Sequence, residues 1–133
     1  DDSYNANPGS VAAAIAVLAE ACAADGRTGL LVLGDMAELG AGAEALHADI
    51  GRQAKAGGVV QLWTCGKLSR SAHAAFGNGA RHFDDRETLT SELMRCLAAD
   101  QRVLVKGSRS SGMDTVVNAL LEHFVLKETP HAS

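Results

Sequence analysis

Apolar and polar positions alternate in blocks along this chain. After Pro8 an apolar run extends from Val11 to Ala24, broken only by Glu20, and Gly26 ends it, which predicts a helix over 8–24. Residues 29–33 form a short continuous apolar stretch closed by Gly34, the pattern of a buried strand. The same alternation continues. Helices are expected over 43–56, 67–76, from Asp84 or Asp85 to 98, and over 113–124. Strands are expected over 59–64, 80–83 and 102–106. A tail over 126–133, carrying Pro130, is expected to fray as a flexible end.

Strands that are apolar throughout, separated by helices, must be covered on both faces. That requires a parallel sheet between two helical layers. With right-handed crossovers the expected fold is an α/β, Rossmann-like three-layer domain with a largely parallel sheet. Sheets of this kind bind ligands beyond the carboxyl ends of their strands. Three polar loops fall there: 2–7, 34–40 and 106–112.

Composition narrows the classes. A chain of 133 residues is one domain by size and can bury a core without staples. Aromatic residues make up only 4%, so Ala, Gly, Leu and Val fill the interior, which suits close helix-on-sheet packing. The net charge of −4 with no basic stripe argues against nucleic acid as a partner. Cys22, Cys65 and Cys96 form no CxxC pair, so neither a disulfide framework nor a zinc site is expected, and a reducing cytoplasmic compartment fits. No signal peptide and no charge-free apolar run near 18 residues is present, so no membrane span is expected. The five histidines show no metal-ligand spacing, and no nucleophile–base set emerges. The chain is therefore read without a metal site and without a catalytic residue of its own.

The polar loops carry what chemistry there is. In the opening DDSYNANPGS, Asn7 can cap the first helix and Pro8 fits its first position. Orphan N–H groups gather at such a helix start, a place for anionic or hydroxyl-rich ligands such as a nucleotide; local capping alone explains the same residues. In 34–40, Asp35 and Glu38 can accept from a hydroxyl or an ammonium, or simply serve a strand-to-helix turn. The cluster KGSRSS at 106–111 suits a carboxylate or phosphate, because Arg can grip either with two parallel hydrogen bonds. Neither a GxxxxGK[ST] loop nor a GxGxxG fingerprint occurs.

In this order and spacing, DDSYNANPGS at 1–10, LGDMAELG at 33–40, Leu46-His47 and VKGSR at 105–109 resemble the C-terminal domain of the bacterial Mur amide ligases. The resemblance covers nearly the whole chain, about residues 1–125. The YNANP form points to the member that adds the dipeptide D-Ala-D-Ala over siblings that add single amino acids. It implies a three-domain, ATP-dependent enzyme of peptidoglycan precursor synthesis. That enzyme activates the carboxylate of UDP-MurNAc-tripeptide as an acyl phosphate, which the amine of D-Ala-D-Ala attacks. The central domain of the family binds the phosphates and Mg2+, so this chain alone is expected to be inactive. Carried over by motif, Asp2, Asn5 and Asn7 are expected on the nucleotide side of the closed cleft. Asp35, Lys106, Ser108 and Arg109 are expected to face the incoming dipeptide. The family domain begins somewhat upstream, with a strand and a basic residue near ATP, so the chain is expected to start inside that first strand. A monomer is expected. The competing reading is a stand-alone nucleotide- or anion-binding module of flavodoxin-like or receiver-like build. Asp1, Asp2 and Lys106 mimic two of three receiver features, but no Asp ends the 59–64 strand.

Overall fold

In the computed structural model the backbone is described for residues 6–132 and side chains for residues 6–123. The elements are α1 (Pro8–Asp25), β1 (Thr28–Gly34), α2 (Ala43–Ala56), β2 (Gln61–Cys65), α3 (Arg70–Phe76), β3 (Ala80–Phe83), α4 (Arg86–Cys96), β4 (Gln101–Lys106) and α5 (Met113–Ala132). Single 3-10 turns at Gly40–Gly42 and Arg109–Ser111 lead into α2 and α5. The start of α1 is built as the sequence predicts. Asn7 Oδ1 accepts the N–H of Ser10 at 2.9 Å, and Ser10 Oγ accepts the N–H of Asn7 at 3.1 Å, a reciprocal capping box.

The strands form a four-stranded sheet in the order β3-β2-β1-β4, parallel throughout. Leu31 of β1 pairs with Leu62 of β2 on one side and Leu104 of β4 on the other. Strand side chains alternate between faces, and this splits the interior in two. Leu31, Leu33 and Leu62 join Val11, Ile15 and Leu18 of α1, Ile50 and Ala54 of α2, and Phe76 of α3. Leu30, Val32 and Trp63 join Phe83, Leu89 and Leu93 toward α4, with Met113 and Val116 of α5. The domain is thus the expected three-layer α/β sandwich. Helices α2 and α3 touch backbone to backbone. A Cβ at Gly51 would lie 2.3 Å from the carbonyl oxygen of Ala72, so only glycine allows this approach.

The structure departs from the sequence pattern at several points. α3 begins at Arg70, not at 67; residues 67–69 form a turn in which the carboxylate of Asp35 accepts the N–H groups of Leu68 and Ser69. β2 begins two residues late, since the N–H of Val59 closes onto Ala54 and that of Val60 onto Gly29. α5 continues past residue 124 to Ala132, with no Gly or Pro between 113 and 129 to stop it. Despite Glu20 and Asp25, α1 has the length and the mean hydropathy (1.3) of a helix able to cross a membrane. Its Val11, Ile15 and Leu18 are committed to the core.

Candidate functional site

From β1 the chain proceeds outward to β2 and β3, then returns to place β4 on the other side of β1. The carboxyl ends of β1 and β4 therefore flank the point where the strand order reverses, the usual position of a ligand crevice in a doubly wound sheet. Two of the predicted polar loops leave from there side by side. Leu33 pairs with Lys106, and a Cβ at Gly107 would stand 3.3 Å from the Cα of Gly34. The pair of glycines lets the two loops run in contact.

Ser108 fastens them. Its N–H donates to the carbonyl of Asp35 at 3.0 Å. Its hydroxyl accepts the N–H of Ala37 at 2.7 Å and donates to the carbonyl of Ala6 at 3.2 Å. Ser111 Oγ in turn donates to the Ser108 carbonyl at 2.6 Å. The residue is 4% exposed. One side chain thus ties together the end of the opening motif, the loop after β1 and the loop after β4. His47 anchors the second loop from α2. It is fully buried, and Nε2 accepts the N–H of Met36 at 3.0 Å while Nδ1–H donates to the carbonyl of Ala43 at 2.7 Å. Those two partners define its tautomer.

The remaining predicted residues divide. The carboxylate of Asp35 accepts from Leu68 at 3.1 Å and from Ser69 at 2.7 Å, and it lines a cavity of about 300 Å³ together with Cys65, Gly66 and Ser111. On that rim, the Thr88 N–H lowers the pKa of Asp85, and burial raises that of the Cys65 thiol. Arg109 lies on the other side of the 108–111 turn, exposed, in a cleft of about 410 Å³ with Ala37, Glu38, Ser108 and Ser110. Lys106 ends β4, partly exposed at the same edge. Among the described residues neither Lys106 nor Arg109 enters an ion pair. Asn7 stands at the surface with its Oδ1 held by the α1 cap. Asp2 and Asn5 lie outside the described residues. No group of three or more His, Cys, Asp and Glu side chains is assembled as a metal site among the described residues.

Two features escaped the sequence reading. His47 is marked in the sequence only as half of the Leu46-His47 pair, and the structure shows that it holds the loop after β1. Glu38 has a φ of 62°, a left-handed conformation rare for a residue with a Cβ, and nothing in the sequence marks it.

Residues 2–109 match the family model described as Mur ligase, glutamate ligase domain. The UDP-N-acetylmuramoyl-tripeptide–D-alanyl-D-alanine ligase of Escherichia coli is 47% identical over 92% of this chain and 26% of its own length. The enzyme of the same name from Bacillus subtilis is 30% identical over 92% of this chain and 27% of its own. Among solved structures, MurF from Acinetobacter baumannii superposes with a TM-score of 0.77 at 28% identity, over 92% of this chain and 27% of that one. MurF ligase from Thermotoga maritima, in complex with ADP, superposes at 0.73 with 22% identity, over 96% of this chain and 28% of that one, a likeness of fold. The chain spans about a quarter of the length of the relatives it matches.

Proposed function

The chain belongs to the Mur ligase family, and we propose that it serves as the C-terminal domain of an ATP-dependent ligase that joins D-Ala-D-Ala to UDP-MurNAc-tripeptide through an acyl phosphate. The observation that carries the reading is the crevice at the carboxyl ends of β1 and β4. There Ser108 locks the family's three motif loops together, and among the described residues Lys106 and Arg109 enter no ion pair at the edge. In this reading the two cations face the carboxylate of the incoming dipeptide, and Ser108 and Asp35 hold the loops that present them. Asp2, Asn5 and Asn7 border the nucleotide.

The sequence contains no phosphate-binding loop, and the described residues assemble no acidic set for Mg2+. ATP and its metal would be held mainly by another domain of a cytoplasmic, monomeric parent enzyme, and this chain alone would be inactive. Helix-terminus contacts supply only about 0.3–1 kcal/mol each when exposed, too little to hold ATP. The test is phosphate release by the full-length enzyme, which must require ATP, UDP-MurNAc-tripeptide and D-Ala-D-Ala together. Calorimetry on the present chain should show no low-micromolar ATP binding.

A further inference from the structure

Glu38 joins three observations. Its backbone sits at φ 62°, where a Cβ crowds the following carbonyl. Such conformations persist where the surroundings over-determine them, and they cluster at binding sites. Here the two preceding residues are pinned, Met36 by its N–H to His47 and Ala37 by its N–H to Ser108, so the chain enters position 38 with little freedom. Second, Glu38 is an exposed residue and lines the same open cleft as Arg109. Third, no ion pair joins the two, and among the described residues neither has a salt-bridge partner elsewhere. A carboxylate and a guanidinium that share a cleft without neutralising one another are arranged to receive a ligand charged at both ends. Asp35 does not line that cleft; its carboxylate accepts from Leu68 and Ser69 and faces the neighbouring cavity.

We propose that Glu38 holds the ammonium end of the incoming dipeptide while Arg109 holds its carboxylate, so that the cleft selects a short zwitterion with both termini free. The proposal rests on the dipeptide-ligase reading above and adds to it a residue and a selection rule. Fixing both ends orients the nitrogen. The ammonium gives up one proton, with the Glu38 carboxylate as the adjacent acceptor, before the nitrogen lone pair attacks the acyl phosphate and phosphate leaves. An N-blocked or extended peptide satisfies only one contact.

Steady-state kinetics of the full-length ligase, with dipeptide varied at saturating ATP, test this. Glu38→Gln and Glu38→Gly should each raise the dipeptide KM about ten- to a hundredfold, the scale of a charge-assisted hydrogen bond, and leave the KM for ATP unchanged. Glu38→Gly should also melt at a higher temperature, because glycine adopts positive φ without strain. Stability and affinity then move in opposite directions, which a purely structural role does not produce. With the C-terminal amide of the dipeptide, Glu38→Gln should still raise KM while Arg109→Ala should not. A stabilised Glu38→Gly with an unchanged dipeptide KM reduces Glu38 to a turn residue. If Arg109→Ala raises the KM and the Glu38 variants do not, the Glu38 assignment falls and the ligase reading stands. Failure of the parent enzyme to turn over the dipeptide overturns both.

Discussion

The hydroxyl of Ser108 accepts the backbone N–H of Ala37 at 2.7 Å, joining two loops separated by 71 positions in the sequence. The contact is possible because β1 and β4 are parallel neighbours and end level with one another, Leu33 opposite Lys106. The same hydroxyl donates its proton to Ala6, so it has none left to offer a ligand carboxylate. Its contribution is to the geometry of the crevice.

Ser108→Ala tests this. It leaves the part-buried N–H of Ala37 and the buried carbonyl of Ala6 without the partner that Ser108, itself 4% exposed, supplies. Loss of a buried partner costs about 1–3 kcal/mol. Urea unfolding of the domain should show that decrease, and the amide of Ala37 should exchange with deuterium much faster. Unchanged exchange at Ala37 would contradict the clamp.

His47→Leu keeps most of the buried volume and removes the acceptor for the Met36 N–H. Stability should fall by about 1–3 kcal/mol, the penalty of an orphaned buried donor. The loop after β1 should loosen with it, read as faster amide exchange at Met36. A variant as stable as the parent would show that Met36 finds another acceptor.

Arg109→Ala in the full-length enzyme should raise the KM for D-Ala-D-Ala about ten- to a hundredfold, from the loss of a charge-assisted grip worth roughly 1.5–3 kcal/mol. Lys106 lies at the same edge and can retain part of the hold. An unchanged dipeptide KM together with a raised ATP KM would move Arg109 to the nucleotide side.

Acid stability should depend on Glu92. Hydrogen bonds from Arg95, at 2.6 and 3.1 Å, and an ion pair with Arg81 at 3.1 Å lower its pKa from 4.5 to about 2. The folded pKa lies below the unfolded one, so the folded state binds its proton less readily. The stabilisation is therefore complete above pH 4.5 and is lost as the pH falls toward 2. Glu92→Gln should lower the urea midpoint at pH 6, and the gap to the parent should close between pH 4.5 and 2. A gap that stays constant over that range would rule out the linkage. The group is partly exposed, so the gap should also shrink in high salt.

By itself the sequence determined the layer order and the family. Apolar runs such as 29–33 and 59–64 have to be buried on both faces, and a βα alternation with short connections has few ways to do that. The loop motifs could be read because glycines, acids and cations at strand ends are spaced locally along the chain. The N-cap at Asn7 and the stop at Gly26 are likewise local, and both formed as read. Tertiary structure decided how the polar atoms of those loops are used. Lys106, Ser108, Ser110 and Arg109 look alike in sequence as candidates for an anion. Only the level ends of β1 and β4 turn Ser108 inward against Ala37 and Ala6 and leave Arg109 exposed. In the same way Asp35 is drawn to the turn before α3, where it accepts the N–H groups of Leu68 and Ser69. Hydrogen bonds between residues tens of positions apart leave no periodic trace in a single sequence. The left-handed backbone of Glu38 has the same origin, since it follows two amides held by His47 and Ser108.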